Sequence, residues 1–345
     1  MAKRSEDNLT TILKEILSEN DINVEVYSSI LHNIYNYLKE NEKFITISPR
    51  FDCLECDLRH FKTKTNLNCF IQHKSKSNTN QLKEEWIGSL ITNSLNIEHV
   101  KIKKANFKIP LSSIKRGLRT TSNIRCIDVN DKLDYLIVHS FKDLKENYLR
   151  YILEKKTINK FKAEEFNIVL NNFEKRKSFL HLNRRLYLAS PGTSYVAFHS
   201  NTPFIGVDTW GFYTMNKDEA KLIALWLNST FGIIQLLMIG VAIEGNWMKV
   251  HKYMLKDLYI PEPTLFLKNN SDELYILYKK VSKIEVLSLT EQLQITHNIR
   301  QEIDRFFIEK LELDIWKDYG TLNKFLKTIQ KELLKELKGL CPSDF

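Results

Sequence analysis

Apolar residues recur every three or four positions at both ends of the chain, which is the helical period. Leu9, Ile12, Leu13, Ile16 and Leu17 line one face of a helix predicted over 5–20, with Ser5 to Asn8 placed to cap it. Val26, Ile30, Leu31, Ile34, Tyr37 and Leu38 repeat the pattern over 24–40. From 270 to 340 the chain is again helical and amphipathic, most clearly at Ile299, Ile303, Phe306, Phe307 and Leu311. The middle has a different rhythm. Phe44-Ile45-Thr46-Ile47, Phe70-Ile71, Tyr135-Leu136-Ile137-Val138 and Tyr195-Val196-Ala197-Phe198 are short β-branched and aromatic runs that predict strands. They are interleaved with a basic helix predicted near 142–165 and a buried helix or helix pair over 217–239, which carries Ala220, Ile223, Ala224, Trp226 and Leu227. The polar stretch 74–81 reads as a loop and boundary. The expected class is α+β, in four segments: a helical element at 1–43, a small β-rich segment at 44–96, a mixed domain at 97–268 and C-terminal helices at 269–345.

Composition changes this picture little, but charge changes it a good deal. With 43% hydrophobic and 27% charged residues, the 345-residue chain has enough apolar matter for a core, and 10 glycines and 7 prolines exclude a collagen-like or linker-dominated sequence. Of the net charge of +9, the whole excess lies in residues 101–185, with 21 Lys and Arg against 9 Asp and Glu; the remainder holds 30 against 33. A basic stretch of that kind suggests a polyanionic partner, foremost nucleic acid. The polar start MAKRSEDNL carries no secretory signal pattern, and the run Phe231 to Ile243, interrupted by Gln235, is too short to span a bilayer, so no membrane association is expected. Five cysteines, an odd number, argue against a secreted disulfide framework and for a reducing, cytoplasmic setting.

Candidate chemistry is sparse. No glycine-rich loop follows a strand, so no phosphate cradle and no S-adenosylmethionine site is visible. Asn201-Thr202-Pro203-Phe204 is similar to the Asn-Pro-Pro-aromatic loop of amino-methyltransferases but lacks its first proline; it reads as a plain turn. Cys53, Cys56, Cys69 and His73 match the outline of a zinc knuckle, and three thiolates with one imidazole suit a structural tetrahedral zinc. The same residues read equally as ordinary cytosolic cysteines and a surface histidine. Asp52 followed by Gln72 and Lys74 imitates a metal-nuclease hairpin, although a single carboxylate holds a hard cation poorly.

The most informative stretch is 86–263. It contains Trp86-Ile87-Gly88-Ser89-Leu90, then Ile114-Lys115-Arg116-Gly117-Leu118-Arg119-Thr120-Thr121-Ser122-Asn123, Pro203-Phe204-Ile205-Gly206, Leu227-Asn228-Ser229-Thr230 and Leu258-Tyr259-Ile260-Pro261. In order and spacing these resemble the C-terminal target-recognition region of N6-adenine DNA methyltransferases of the TaqI-like and type IIG restriction–modification kind. Ile299 to Leu313 also resembles the Arg…Ile-Asp…Leu-Gly-Leu helix that often follows in that family. Thr121 and Glu312 stand where the family carries glycine, so the backbone there must differ in detail. The family's cofactor-binding and catalytic domain has no counterpart in this sequence. The resemblance therefore implies a specificity part without its methyltransferase, either a separate subunit or a remnant of a split gene.

On that reading the chain binds double-stranded DNA, catalyses nothing alone, and partners a methyltransferase catalytic subunit. Arg116, Arg119 and Arg125 flank a turn from which guanidinium forks reach phosphate or the edge of guanine, with Lys115 beside them. Asn123 either reads adenine or caps the turn. Lys101, Lys103 and Lys104 are candidates for phosphate contacts, as are the clusters Lys175-Arg176-Lys177 and Arg184-Arg185. Trp210, Trp226 and Trp247 read as core ahead of base-stacking residues, and Asn228-Ser229-Thr230 as a hydrogen-bonding motif at a helix end. Two alternatives remain: a divergent metal-dependent nuclease of a restriction system, and a zinc-containing nucleic-acid-binding protein.

Overall fold

The computed structural model describes residues 29–56, 70–71, 99–101, 108–110, 114–118, 120–137, 173–244, 246–295 and 298–340. The helices expected over 5–20 and 142–165, the loop at 74–81 and the Trp86–Leu90 segment lie outside them. Among the described residues the fold is α+β: a seven-stranded sheet, three smaller sheets, and a helical C-terminal third.

Helix α1 (Ser29–Glu40) buries Leu31, Ile34 and Leu38, the stripe its sequence spacing predicts. Strands β1 (Phe44–Thr46), β2 (Cys53–Cys56), β3 (Phe70–Ile71), β4 (His99–Lys101) and β5 (Lys108–Pro110) are all short. They are followed by β6 (Ile114–Leu118), β7 (Asp134–Ile137), β8 (Ser178–Asn183), β9 (Arg185–Leu186), β10 (Ala197–Gly206) and β11 (Thr209–Phe212). Strands β12 (Val241–Ile243), β13 (Trp247–Lys249) and β14 (Tyr259–Pro261) complete the set. The large sheet runs β2-β11-β8-β10-β6-β7-β3, with β10 parallel to β6 and every other pair antiparallel. Pairing crosses the segment limit expected at residue 96. Strand β2 forms one edge of the sheet beside β11, and β1 pairs with β14, whose last residue is Pro261.

Asn201-Thr202-Pro203-Phe204 is not a turn but the second half of β10. Pro203 has no N–H to give a ladder, and the pairing of β10 with β8 is irregular between His199 and Phe204, where that deficit is absorbed. His181 of β8 packs beneath this segment with its ring centroid 4.4 Å from that of Phe204. Its Nε2–H donates to the Phe204 carbonyl at 2.8 Å and its Nδ1 accepts from the Thr209 hydroxyl at 2.9 Å. Burial holds this histidine neutral, with its pKa lowered to about 4.

The stretch 217–239 is a pair of helices, α2 (Lys217–Leu227) and α3 (Thr230–Ile239), bent by 76° at Asn228–Ser229. Asn216 caps α2 by accepting from Asp218 N and Glu219 N, and the Glu219 carboxylate accepts from Asn216 N in return. Ser229 caps α3 through Gly232 N. Trp226 sits at the centre of the core, stacked on Phe231 at 5.5 Å and edge-on to Phe307 at 5.0 Å. Among the described residues no single helix is long and apolar enough to cross a membrane. The C-terminal helices are α4 (Pro263–Val281), α5 (Leu289–Gln294), α6 (Ile299–Lys310) and α7 (Leu322–Leu340). Ile303 and Phe307 of α6 are fully buried, as the stripe predicts.

Asn228-Ser229-Thr230 and α6 form one buried polar junction. Asn228 Oδ1 accepts from Val196 N at 2.8 Å and Ala197 N at 3.3 Å, while its Nδ2 donates to the carbonyls of Ala197 and Ala224 at 2.7 and 2.9 Å. Arg300, buried completely, donates to the carbonyls of Asn228 and Ser194 and to Gln292. Asp304 accepts from Thr230 N at 2.7 Å and from its hydroxyl at 2.5 Å. Burial pushes the Asp304 carboxyl up to about 6, against the pull of those donors. Sheet, helix pair and C-terminal helices are thus tied at one point.

Candidate nucleic-acid interface

Three elements meet at an open cleft of about 530 Å³. The first is the turn Thr120-Thr121-Ser122 after β6. The second is the tight connection between β10 and β11, where Val207 and Asp208 meet Arg185 from β9. The third is the β12–β13 hairpin, with Ile243, Glu244 and Trp247.

Each element has a local cause. The turn after β6 takes its positive φ at Asn123 (62°), not at Thr121, which is how the chain manages without the family's glycine. Asn123 N donates to the Gly192 carbonyl at 3.1 Å, and its side chain is exposed. In the β10–β11 connection Asp208 lies at φ 53°, and a Cβ at Gly206 would fall 2.4 Å from the Thr209 hydroxyl oxygen, so that position excludes a side chain. The hairpin tip carries Asn246 at φ 63°. Val241 and Ile243 are two apart on β12, and Ile243 is the cross-strand partner of Trp247, so all three share a face. That face is exposed: 44% for Val241, 37% for Ile243 and 41% for Trp247. Tyr187 flanks Trp247 with ring centroids 5.6 Å apart. Trp210 and Trp226, in contrast, are core residues, with indole N–H groups donating to the carbonyls of Val250 and Tyr259.

The basic residues singled out in the sequence divide into three groups. Arg184 and Arg185 converge on the carboxylates of Glu55 and Asp208, and Arg176 joins them through the Glu55 backbone. Arg184 is paired with both Glu55 and Asp208, its Nε 2.7 Å from Asp208 Oδ1, while Arg185 Nε lies 2.9 Å from Asp208 Oδ2 and Arg176 Nε donates to the Glu55 carbonyl at 3.0 Å. Arg184 is spent on this knot, with 11% of its side chain exposed, whereas Arg185 keeps 44%. Lys115 and Lys177 form a second knot around Glu174, which those ammonium groups hold below the usual carboxylate range despite burial working the other way. Arg116 donates to the Asn130 carbonyl at 2.7 Å. The third group faces outward: Arg125 and Lys175 are exposed, with no carboxylate within 4.0 Å among the described residues. The backbone of Lys101 lies on β4; Lys103, Lys104 and Arg119 lie outside the described residues.

Of the residues in the metal readings, Asp52, Cys53 and Cys56 are described. Cys53 and Cys56 are both buried on β2, where residues three apart leave opposite faces of the strand rather than converging on one ion. Burial raises the Cys53 thiol pKa. Cys69, His73, Gln72 and Lys74 lie outside the described residues. Among the described residues no group of three or more His, Cys, Asp and Glu is placed to hold a metal ion.

Sequence reasoning missed Asp208, whose grip on Arg184 and Arg185 depends on a turn no pattern announces, and missed the apolar face of the hairpin. The alternation Val241-Ala242-Ile243 was the only local signal for the latter. What the cleft can do follows from its parts. An exposed indole offers a face for stacking, Arg185 a guanidinium for phosphate, and the turn three hydroxyl groups, while Asp208 and Glu244 oppose an anion.

No family model matches the sequence, and no curated protein matches it. Among solved structures, the fold is similar to part of the type IIG restriction endonuclease BpuSI, with a TM-score of 0.52 and 14% identity over 91% of this chain and 34% of that one. The chain thus spans about a third of the length of that protein, and it resembles in fold a region of a type IIG restriction–modification enzyme.

Proposed function

We propose that this chain is the DNA sequence-recognition part of an N6-adenine methyltransferase or restriction–modification system, binding duplex DNA in the cytoplasm while a separate catalytic subunit transfers the methyl group. The observation that carries the reading is the cleft, which joins the turn of the resemblance, Arg185 and the exposed Trp247 in one place. The fold likeness to a type IIG enzyme supports it. Arg185, Arg125 and Lys175 supply charge to the DNA backbone, and the hairpin and turn supply groove contacts.

The test is binding of a fluorescent duplex by the purified chain across a salt series. With six to eight phosphate contacts, affinity falls by about 10³ or more between 50 and 200 mM salt. Absence of duplex binding at 50 mM, or affinity indifferent to salt, overturns the reading. Methylation of adenine by this chain alone overturns the division of labour.

A further inference from the structure

Helix α7 carries a feature unrelated to the cleft. Lys324, Lys327, Lys331, Lys335 and Lys338 follow one another at intervals of three and four residues, and all five are exposed. At 3.6 residues per turn they fall within an arc of about 80°, forming a ladder about 21 Å long. The opposite face is already occupied, since Phe325, Leu326, Ile329, Leu333 and Leu337 are buried against α1, α3 and α5. Among the described residues none of Lys324, Lys327, Lys331 and Lys335 has a carboxylate within 4.0 Å, unlike Lys115, Lys177, Lys280 and Lys310, which are all ion-paired. The first three line a shallow groove of about 420 Å³ with Thr328. Glu332 and Glu336 are half-buried and lie about 60° and 100° around the helix from Lys335, the nearest lysine of the stripe.

We propose that this lysine ladder is a second DNA contact, laid along the phosphates of one strand of the duplex. The inference rests on the duplex-DNA reading above and deepens it. Charge complementarity selects the occupant. Four uncompensated cations in a row match the line of phosphates along one strand, which follow one another about 7 Å apart, so that three or four fit beside the ladder. A lipid surface is the poorer match, because an interfacial helix presents an apolar face to the bilayer and that face of α7 lies inside the fold. The contact is one of charge and carries no base preference.

The experiment replaces Lys324, Lys327, Lys331 and Lys335 together by Gln, a residue of equal helix propensity at exposed positions, and compares duplex binding across the salt series with the wild-type chain. The expected result is a slope of log affinity against log salt shallower by about 3 to 4, with the same loss for unrelated duplex sequences. A thermal transition matching the wild type certifies the fold. If the wild-type chain binds duplex and the fourfold variant keeps its slope within one unit, the ladder is overturned and the cleft reading stands. If the ladder variant loses binding while Arg185→Ala with Lys175→Ala does not, the ladder stands and the cleft falls. No duplex binding by the wild type overturns both. Lysine-dependent capture by phosphatidylserine–phosphatidylcholine vesicles, with duplex binding unaltered, overturns the ladder in favour of a membrane.

Discussion

Asp208 sets how much of the positive charge at the cleft is available, and Asp208→Asn tests that directly. The position lies at φ 53°, a conformation asparagine adopts more readily than any other residue except glycine, so the turn survives the change. The substitution keeps an acceptor oxygen for Arg184 Nε, now 2.7 Å away, and removes the negative charge shared with Arg185 at 2.9 Å. Because 44% of the Arg185 side chain is exposed, the attraction lost is that of a solvated pair, about 1 kcal/mol at 4 Å. A phosphate approaching Arg185 no longer competes with that carboxylate, so duplex affinity at low salt rises about fivefold. Stability moves the other way: Arg184 is largely buried, and replacing a charged acceptor by a neutral one costs about 1–2 kcal/mol, limited by its second partner Glu55. The assay is fluorescence anisotropy of a labelled duplex at 50 mM salt for the wild type, Asp208→Asn, and Asp208→Asn with Arg185→Ala. Unchanged or weaker binding by a folded Asp208→Asn protein refutes the reasoning, as does a gain that persists without Arg185.

Other consequences concern the frame that holds the cleft. Glu312 occupies φ 47° with an 87% exposed side chain, and its 3.9 Å approach to Lys43 contributes little, so Glu312→Gly raises the denaturation midpoint by the equivalent of about 1 kcal/mol; an equal or lower midpoint contradicts the strain argument. Asn228→Ala strands the Val196 and Ala197 N–H groups and the Ala197 carbonyl in the core, while the Ala224 carbonyl keeps the Asn228 backbone N–H, and costs about 3–5 kcal/mol in urea unfolding; a loss below 1 kcal/mol means that water replaces the amide. Acid lowers stability through His181 and His199, whose pKa values burial depresses to about 4 and about 3. Their contribution is complete above pH 6.5 and is lost as pH falls and the unfolded chain takes protons the fold refuses, at about 1.4 kcal/mol per unit for each ring. Asp304, raised to about 6, offsets one of them between pH 6 and 4, because its protonated form is favoured in the fold. Stability measured by urea at pH 6, 5 and 4 therefore falls by at least about 1.4 kcal/mol per unit, and a flat profile contradicts the assignment of these groups.

Periodicity announced the elements that bury a single stripe or alternate cleanly. Helices α1 and α6 and the pair α2–α3 lie where the apolar spacing puts them, because burial of one face is local information. Partner choice is not local, and strand β2 shows it. The fold gives β2 to β11, more than 150 residues away, and sends Phe70–Ile71 to the opposite edge of the sheet. Asn201-Thr202-Pro203-Phe204 looked like a turn because proline discourages strands, but an irregular stretch of ladder asks for no N–H there. At the site, the turn holding Asn123 was legible from its motif, and so was the structural use of Asn228-Ser229-Thr230. The sequence could not show that Arg184 would be consumed by Glu55 and Asp208, since a count of basic residues does not see their counter-ions. The lysines of α7 were legible from spacing alone and were hidden by regional charge sums.

The buried guanidinium of Arg300 has a mechanical meaning. By clasping carbonyls from the loop before β10 and from the bend between α2 and α3, it pins sheet, helix pair and α6 to one another. On the proposed reading, a double helix that met both Arg185 and the α7 stripe would take whatever curvature their fixed arrangement imposes. Sequences that flex easily, such as those rich in pyrimidine–purine steps, would be accepted at lower elastic cost, so selectivity can arise at base pairs no side chain reaches.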